Sequence, residues 1–115
     1  MITLLVDEGY AYDYLAILNV KHSKVNNEKS IAIRDLCYEH ILYQIGEYKH
    51  LEVINSSEFR NLVDVNLMTF EAVEKARYGN ISAKEVDELN MKRYNCKITL
   101  QNKFFPLIEA TEFKS

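Results

Sequence analysis

Four glutamates form the pattern in this sequence that could most directly do chemistry. Glu71 and Glu74 are three residues apart, and so are Glu85 and Glu88. Residues at i and i+3 share one face of a helix, so each pair presents two carboxylates side by side. Clustered carboxylates are the oxygen ligands that suit Mg²⁺, which commonly bridges to substrate phosphates. The four glutamates are therefore a candidate magnesium site.

The two pairs become neighbours because the chain between them predicts a helical hairpin. Gly79 can adopt the left-handed conformation that ends a helix, and Ser82 with Glu85 makes a capping box that begins the next one. The all-α nucleoside-triphosphate pyrophosphohydrolases carry Glu-x-x-Glu on one helix and Glu-x-x-Asp on the next, and the layout over residues 71–88 resembles theirs. The resemblance implies a nucleotide hydrolase with Mg²⁺ as its cofactor. The sequence departs from that motif at Glu88, where the family has Asp, and in its short spacer.

The same glutamates have an ordinary alternative interpretation. Glu-x-x-Glu is common on solvated helices, where the carboxylates pair with neighbouring cations such as Lys75, Arg77 and Lys84. The sequence contains no Gly-rich phosphate loop, no nucleophile elbow and no zinc-finger spacing. We therefore expect a binding function, with no cofactor, ahead of the Mg²⁺-dependent alternative.

A second set of polar residues falls on helix faces that are otherwise apolar. His40 lies beside Cys37 on one such face, and Asn66 lies within the apolar stripe of a later helix. Across the predicted hairpin, Asn90 and Arg93 lie on or near the inward side. These residues are candidates for a ligand pocket in which Arg93 would hold an anion. The alternatives are a hydrogen-bonded core histidine, a buried polar network and a solvent-facing edge.

Basic residues are concentrated between positions 89 and 108. This stretch has no acidic residue, and aromatic side chains are interleaved with its four cations, which are Lys92, Arg93, Lys97 and Lys103. The pattern is a weak nucleic-acid footprint. The net charge of the whole chain is −3, so no global positive field favours nucleic acid. A nucleic-acid-binding accessory protein is therefore our third hypothesis, and nucleic acid is not the expected partner.

Periodicity and capping residues predict that helices must position these groups. A chain with one proline and three glycines favours long helices. Apolar spacing and caps predict four of them, at about 7–21, 28–45, 56–78 and 83–103. The short apolar runs 2–6 and 51–54 are predicted to pair as two strands. The expected fold is mainly α, a small antiparallel bundle of about four helices with a minor two-strand β element.

The predicted helices differ in how they should pack. The first shows one apolar stripe that includes Tyr10, Tyr14 and Leu15, whereas the helix over 28–45 is apolar nearly all round. A helix of the second kind belongs in the middle of a bundle or in a subunit interface. A chain of 115 residues suits a single domain, 1–115. The residues after Pro106 are predicted to form a loose or docked tail.

Tyrosine usage indicates what kind of binding to expect. The chain has eight tyrosines and no tryptophan, and several tyrosines fall on the first two helices. Tyrosine is enriched at interfaces because it combines apolar area with a polar tip. We therefore expect a homodimeric binding module that has itself, or another protein, as partner. Two unpaired cysteines and the lack of a long apolar run favour a cytoplasmic protein with no membrane partner.

Overall fold

The computed structural model describes residues 1–79 and 81–106. Within these residues it has five α-helices and no strand. The helices are α1 (Glu8–Lys24), α2 (Glu28–Ile45), α3 (Glu47–Ile54), α4 (Ser57–Arg77) and α5 (Ala83–Phe104). The mainly α class is confirmed, although the number of helices was predicted as four. The tail predicted over 107–115 lies outside the described residues.

Side-chain caps explain why four of these helices begin where the sequence predicts. The side chains of Asp7, Asn27, Ser56 and Ser82 each accept a hydrogen bond from a backbone amide in the first turn of the helix that follows. Such bonds satisfy amides that have no partner inside the helix. Gly79 has φ +73°, the left-handed conformation predicted for the end of α4. The helical hairpin is therefore confirmed.

The two predicted strands were wrong. Residues 51–54 belong to α3, and residues 1–6 have no regular secondary structure. Gly46, at φ +95°, ends α2 and its carbonyl accepts the amide of His50, which begins the next turn of helix. In α3 the side chains of His50 and Val53, three residues apart, are both completely buried. Helical spacing, and not strand alternation, brings these two residues to the core.

The first helix occupies the middle of the fold. It packs against α2, α4 and α5, whereas α2 packs against α1 and α3. Of the two placements that the sequence allowed for the second helix, the middle of the bundle is therefore not the one observed. The hydrophobic core lies between α1 and the α4–α5 hairpin, with contributions from α2 and α3; its largest fully buried apolar side chains are Tyr12, Leu15, Leu62, Leu100 and Val53.

The inward stripe of α1 also differs from the prediction. Tyr10 and Tyr14 are about half exposed, and Tyr12 is completely buried between them. The face that meets α5 includes Gly9, whose amide donates to Oε1 of Gln101. A Cβ on Gly9 would lie 3.0 Å from the carbonyl oxygen of Lys97. Close approach of α1 and α5 at this glycine turns Tyr12 inward and leaves the other two tyrosines on a different face.

Candidate functional site

The four candidate magnesium ligands do not form a ligand cluster. Among residues 1–79 and 81–106, no three His, Cys, Asp or Glu side chains lie close enough together to hold a metal ion. Oε1 of Glu71 lies 3.4 Å from Nζ of Lys24, and Oε1 of Glu74 lies 3.4 Å from Nη1 of Arg77. Glu85 accepts from the Ser82 hydroxyl at the helix cap. These contacts fit the ordinary interpretation, so the structure gives the magnesium hypothesis no support.

The basic stretch of α5 is not a bare cationic face. Arg93 is paired with Asp13 at 3.1 Å, and Lys103 is paired with Glu58 at 2.7 Å. The hydrogen bond from Lys103 is the main cause that lowers the pKa of Glu58. Lys97 lies over two tyrosine rings. Because two of the four cations are neutralised by carboxylates, the nucleic-acid hypothesis gains no support either.

Two of the predicted pocket residues meet in a buried polar network. Nδ2 of Asn66 donates to Oδ1 of Asp13 at 3.0 Å and to the carbonyl of Leu62 at 2.9 Å. Nε and Nη2 of Arg93 donate to the two oxygens of the same carboxylate at 3.1–3.3 Å. Asp13 and Asn66 are only 4% and 5% exposed. The network joins α1, α4 and α5, and it matches the polar-network alternative that the sequence left open.

Asp13 was the member of this network that sequence reasoning missed. The available signal was its position, because Asp13 is an acidic residue on the same helix face as Gly9 and Ala16. A carboxylate placed inside needs a cation and further donors. Arg93 supplies the cation and Asn66 a further donor, so the network links α1, α4 and α5.

A shallow depression on α5 adjoins this network at Arg93. Asn90, Arg93, Tyr94 and Lys97 line about 240 Å³ there. Nζ of Lys97 lies 5.5 Å from the ring centres of both Tyr10 and Tyr94. Two of the four predicted pocket residues, Asn90 and Arg93, are therefore adjacent, while Asn66 lies beneath them in the core.

A buried tyrosine–histidine pair forms a second polar group in the interior. The Tyr12 hydroxyl and Nδ1 of His50 share a hydrogen bond of 2.9 Å, and both residues are 0% exposed. The rings of Tyr38 and His50 meet edge to face at 4.5 Å. Burial lowers the pKa of His50 and raises the pKa of Tyr12, so both groups stay neutral near pH 7. Nε2 of His50 has no partner among the described residues.

A concave surface lies between α1, α2 and the segment that precedes α1. We call it the α1–α2 groove; it encloses about 680 Å³ and is lined by residues 1–8, by Tyr10, Ala11, Tyr12 and Tyr14 of α1, and by Ile33, Leu36, Cys37, His40, Ile41, Gln44 and Ile45 of α2. His40 is exposed at this groove, so the alternative of a hydrogen-bonded core histidine is wrong. His40 therefore lies apart from the other three predicted pocket residues, Asn66, Asn90 and Arg93.

The groove is apolar and holds one of the two free cysteines. Burial raises the pKa of Cys37 to about 11, so its thiol is protonated at neutral pH. Burial also raises the pKa of Cys96, the other free thiol. Neither cysteine has the depressed pKa that marks a reactive nucleophile. The groove is therefore suited to apolar contact and not to thiol chemistry.

Comparisons with protein-family models, with curated proteins and with solved structures find no match to this chain. Across the described residues, none of the helices combines the length and the apolar character needed to cross a bilayer.

Proposed function

We propose that this protein is a binding module that acts as a homodimer through the α1–α2 groove and residues 1–6, which we call the 1–6 segment. Its two free cysteines fit a reducing, cytoplasmic setting. The observation that carries the proposal is the position of α2, a helix with apolar residues on both sides that lies at the edge of the fold.

The exposure of α2 supports this proposal. Ile41 is the one residue of α2 that is fully buried. Ile33, Leu36 and Cys37 remain partly exposed in the groove. An apolar helix that the fold covers only in part fits a subunit interface, which is the second of the two placements that its sequence predicts.

The amount of exposed apolar surface also supports a dimer. Ile2 is 83% exposed, Leu4 66% and Leu5 105%, and these side chains adjoin the half-exposed Tyr10 and Tyr14. Together with Val6, they leave roughly 700 Å² accessible, which is close to the ~800 Å² that each partner contributes to a stable interface. Few charged groups line the groove, as expected for the centre of an interface.

Light scattering of the full chain, with sedimentation velocity as a second measurement, tests the proposal. The expected mass is twice the 13.5 kDa of one chain. Leu5→Asp and Tyr14→Asp should each shift the mass toward the monomer, because each puts a charge at the centre of the apolar surface. Tyr43→Asp is the matched control, since Tyr43 is 90% exposed on α2 but does not line the groove.

The result that would overturn the proposal is equally direct. A native chain that keeps the monomer mass at the highest concentration tested is not a homodimer. A loss of the dimer in Tyr43→Asp, with no loss in Leu5→Asp or Tyr14→Asp, would move the interface away from the groove. Circular dichroism of each variant should match the native helical signal, because all three positions are well exposed.

A further inference from the structure

We propose that the 1–6 segment of each copy fills the α1–α2 groove of the other copy, so that a second copy of this chain is the occupant of the groove. This inference rests on the proposed function and deepens it. It specifies which residues meet across the two-fold axis and predicts that the segments are exchanged between the two chains.

The 1–6 segment is uncovered in its own chain although it lies at the rim of the groove. Leu5 is 105% exposed and Ile2 is 83% exposed, as much as in an extended peptide. The groove beside them keeps about 680 Å³ of open space. Within one chain, the apolar side chains of the segment and the apolar wall of the groove therefore both stay exposed to water. The hydrophobic effect disfavours this arrangement.

The chemistry of the segment matches the chemistry of the groove. The segment reads Met-Ile-Thr-Leu-Leu-Val and carries no charged side chain before Asp7. The wall that α2 contributes to the groove is mainly aliphatic. A volume of about 680 Å³ lies within the roughly 300–1,000 Å³ of pockets that enclose drug-sized ligands, so it has room for several aliphatic side chains.

The start of α1 fixes where the segment leaves the fold. Oδ1 of Asp7 accepts the amide of Tyr10 at 2.8 Å, and the carbonyl of Asp7 accepts the amide of Ala11 at 3.1 Å. These two bonds hold the base of the segment beside the groove. In a two-fold dimer, residue i of one copy contacts residue j of the other and the reverse contact follows by symmetry. If the segment of one copy enters the groove of the other, the same symmetry therefore places the second segment in the first groove.

The area available is sufficient for such an exchange. Two copies bury roughly twice 700 Å², or about 1,400 Å², if the 1–6 segment and the adjoining tyrosines are covered on both sides, and stable interfaces bury about 1,200–2,000 Å². Groove walls on α2 add to this total. Without the segment, Tyr10 and Tyr14 supply only about a third of the estimate, well below the size of a stable interface.

Mixed-label NMR tests the exchange on the full-length chain. One sample is unlabelled and carries a nitroxide at His40→Cys, with both native cysteines changed to serine; His40 is exposed at the groove. The other is ¹⁵N-labelled native protein without nitroxide. In the mixed dimer, only contact between copies can broaden amide signals. The amides of residues 2–6 should lose most of their intensity and regain it when ascorbate reduces the nitroxide.

A second nitroxide provides the control. Tyr78 is 78% exposed at the hairpin end of α4 and does not line the groove, so a label at Tyr78→Cys should leave the amides of residues 2–6 sharp. Light scattering establishes that each labelled mixture is dimeric before spectra are recorded. A dimer in which the His40→Cys label spares residues 2–6 would overturn the exchange while leaving the homodimer intact. A monomeric native chain would overturn the proposed function itself.

Discussion

Loss of Arg93 should destabilise the fold more than loss of the carboxylate it binds. Arg93→Met leaves the Asp13 carboxylate, 4% exposed, with Asn66 as its remaining side-chain donor. Removing one partner of a buried ion pair costs about 3–5 kcal/mol. The Arg93 side chain is 34% exposed, so water can reach the carboxylate once the guanidinium is gone. We therefore expect the free energy of unfolding to fall by about 2–3 kcal/mol.

The reciprocal change should be milder. Asp13→Asn keeps the shape of the side chain, and Arg93 can turn its charge toward water. The loss of charge-assisted hydrogen bonds should then cost about 1–1.5 kcal/mol. The double variant Asp13→Asn/Arg93→Met contains no buried charge at this point, so it should be about 1 kcal/mol more stable than Arg93→Met alone.

Urea unfolding followed by circular dichroism measures these differences. All variants are compared at one protein concentration, because the stability of the proposed homodimer would depend on concentration. The free energy of unfolding should fall with urea concentration at the same slope in every variant, so that differences between the unfolding midpoints report differences in stability. Arg34→Met is the control: Arg34 pairs with Asp35 at the surface, and its loss should change stability by less than about 0.5 kcal/mol. Equal stabilities of Arg93→Met and the double variant would refute the reasoning.

Three further predictions concern other parts of the fold. Burial lowers the pKa of His50 below 6.5 in the folded chain. As pH falls through 6.5, the unfolded chain therefore takes up a proton at His50 more readily than the folded chain, and the folded state loses stability. The melting temperature should therefore drop between about pH 7 and pH 5. His50→Gln should flatten this dependence, and a flat native profile would contradict the assignment. Gly9→Ala should lower the free energy of unfolding, measured in urea, by about 1–2 kcal/mol, because the added Cβ would press on the carbonyl oxygen of Lys97. An unchanged urea midpoint would show that α1 and α5 separate easily. Cys37, with a pKa of about 11, should react with iodoacetamide at pH 8 about tenfold more slowly than free cysteine. Mass spectrometry follows the reaction, and a rate equal to that of free cysteine would mean that the thiol is not buried.

The helix boundaries could be predicted because they depend on local chemistry. Each helix cap bonds to the backbone amide three residues later, as at Asp7, Asn27, Ser56 and Ser82. A cap residue followed by apolar residues at helical spacing predicts such a bond from the sequence alone. Gly79 takes its left-handed conformation for an equally local reason. These helix ends can therefore be predicted without knowing any contact between residues that are far apart in the sequence.

The third helix could not be predicted because its cause is tertiary. The residues Leu51-Glu52-Val53-Ile54 suit a strand by composition. The structure makes them helical because helical spacing buries His50 and Val53 together while Leu51 stays 41% exposed. The same limit explains α1, where Tyr10, Tyr12 and Tyr14 have identical chemistry and only the close approach of α5 at Gly9 decides which one is buried.

The candidate site shows a related limit of reasoning from residue types. Residue type and spacing predicted a metal site from the carboxylates on the hairpin, yet Glu71 and Glu74 form salt bridges with Lys24 and Arg77. The buried side chains of Asp13, Asn66 and His50 instead form hydrogen bonds between helices, so they help to fix how the helices pack.

The fold leaves several large apolar side chains exposed to water. A buried polar group is costly without a partner and an exposed apolar patch is costly in water, so both kinds of residue indicate where a structure has to be completed. In this chain the buried Asp13 finds Arg93 and Asn66, whereas Ile2 and Leu5 find no cover among the described residues. This exposed apolar surface, and not the charged hairpin, is where we propose that a second copy of the chain binds.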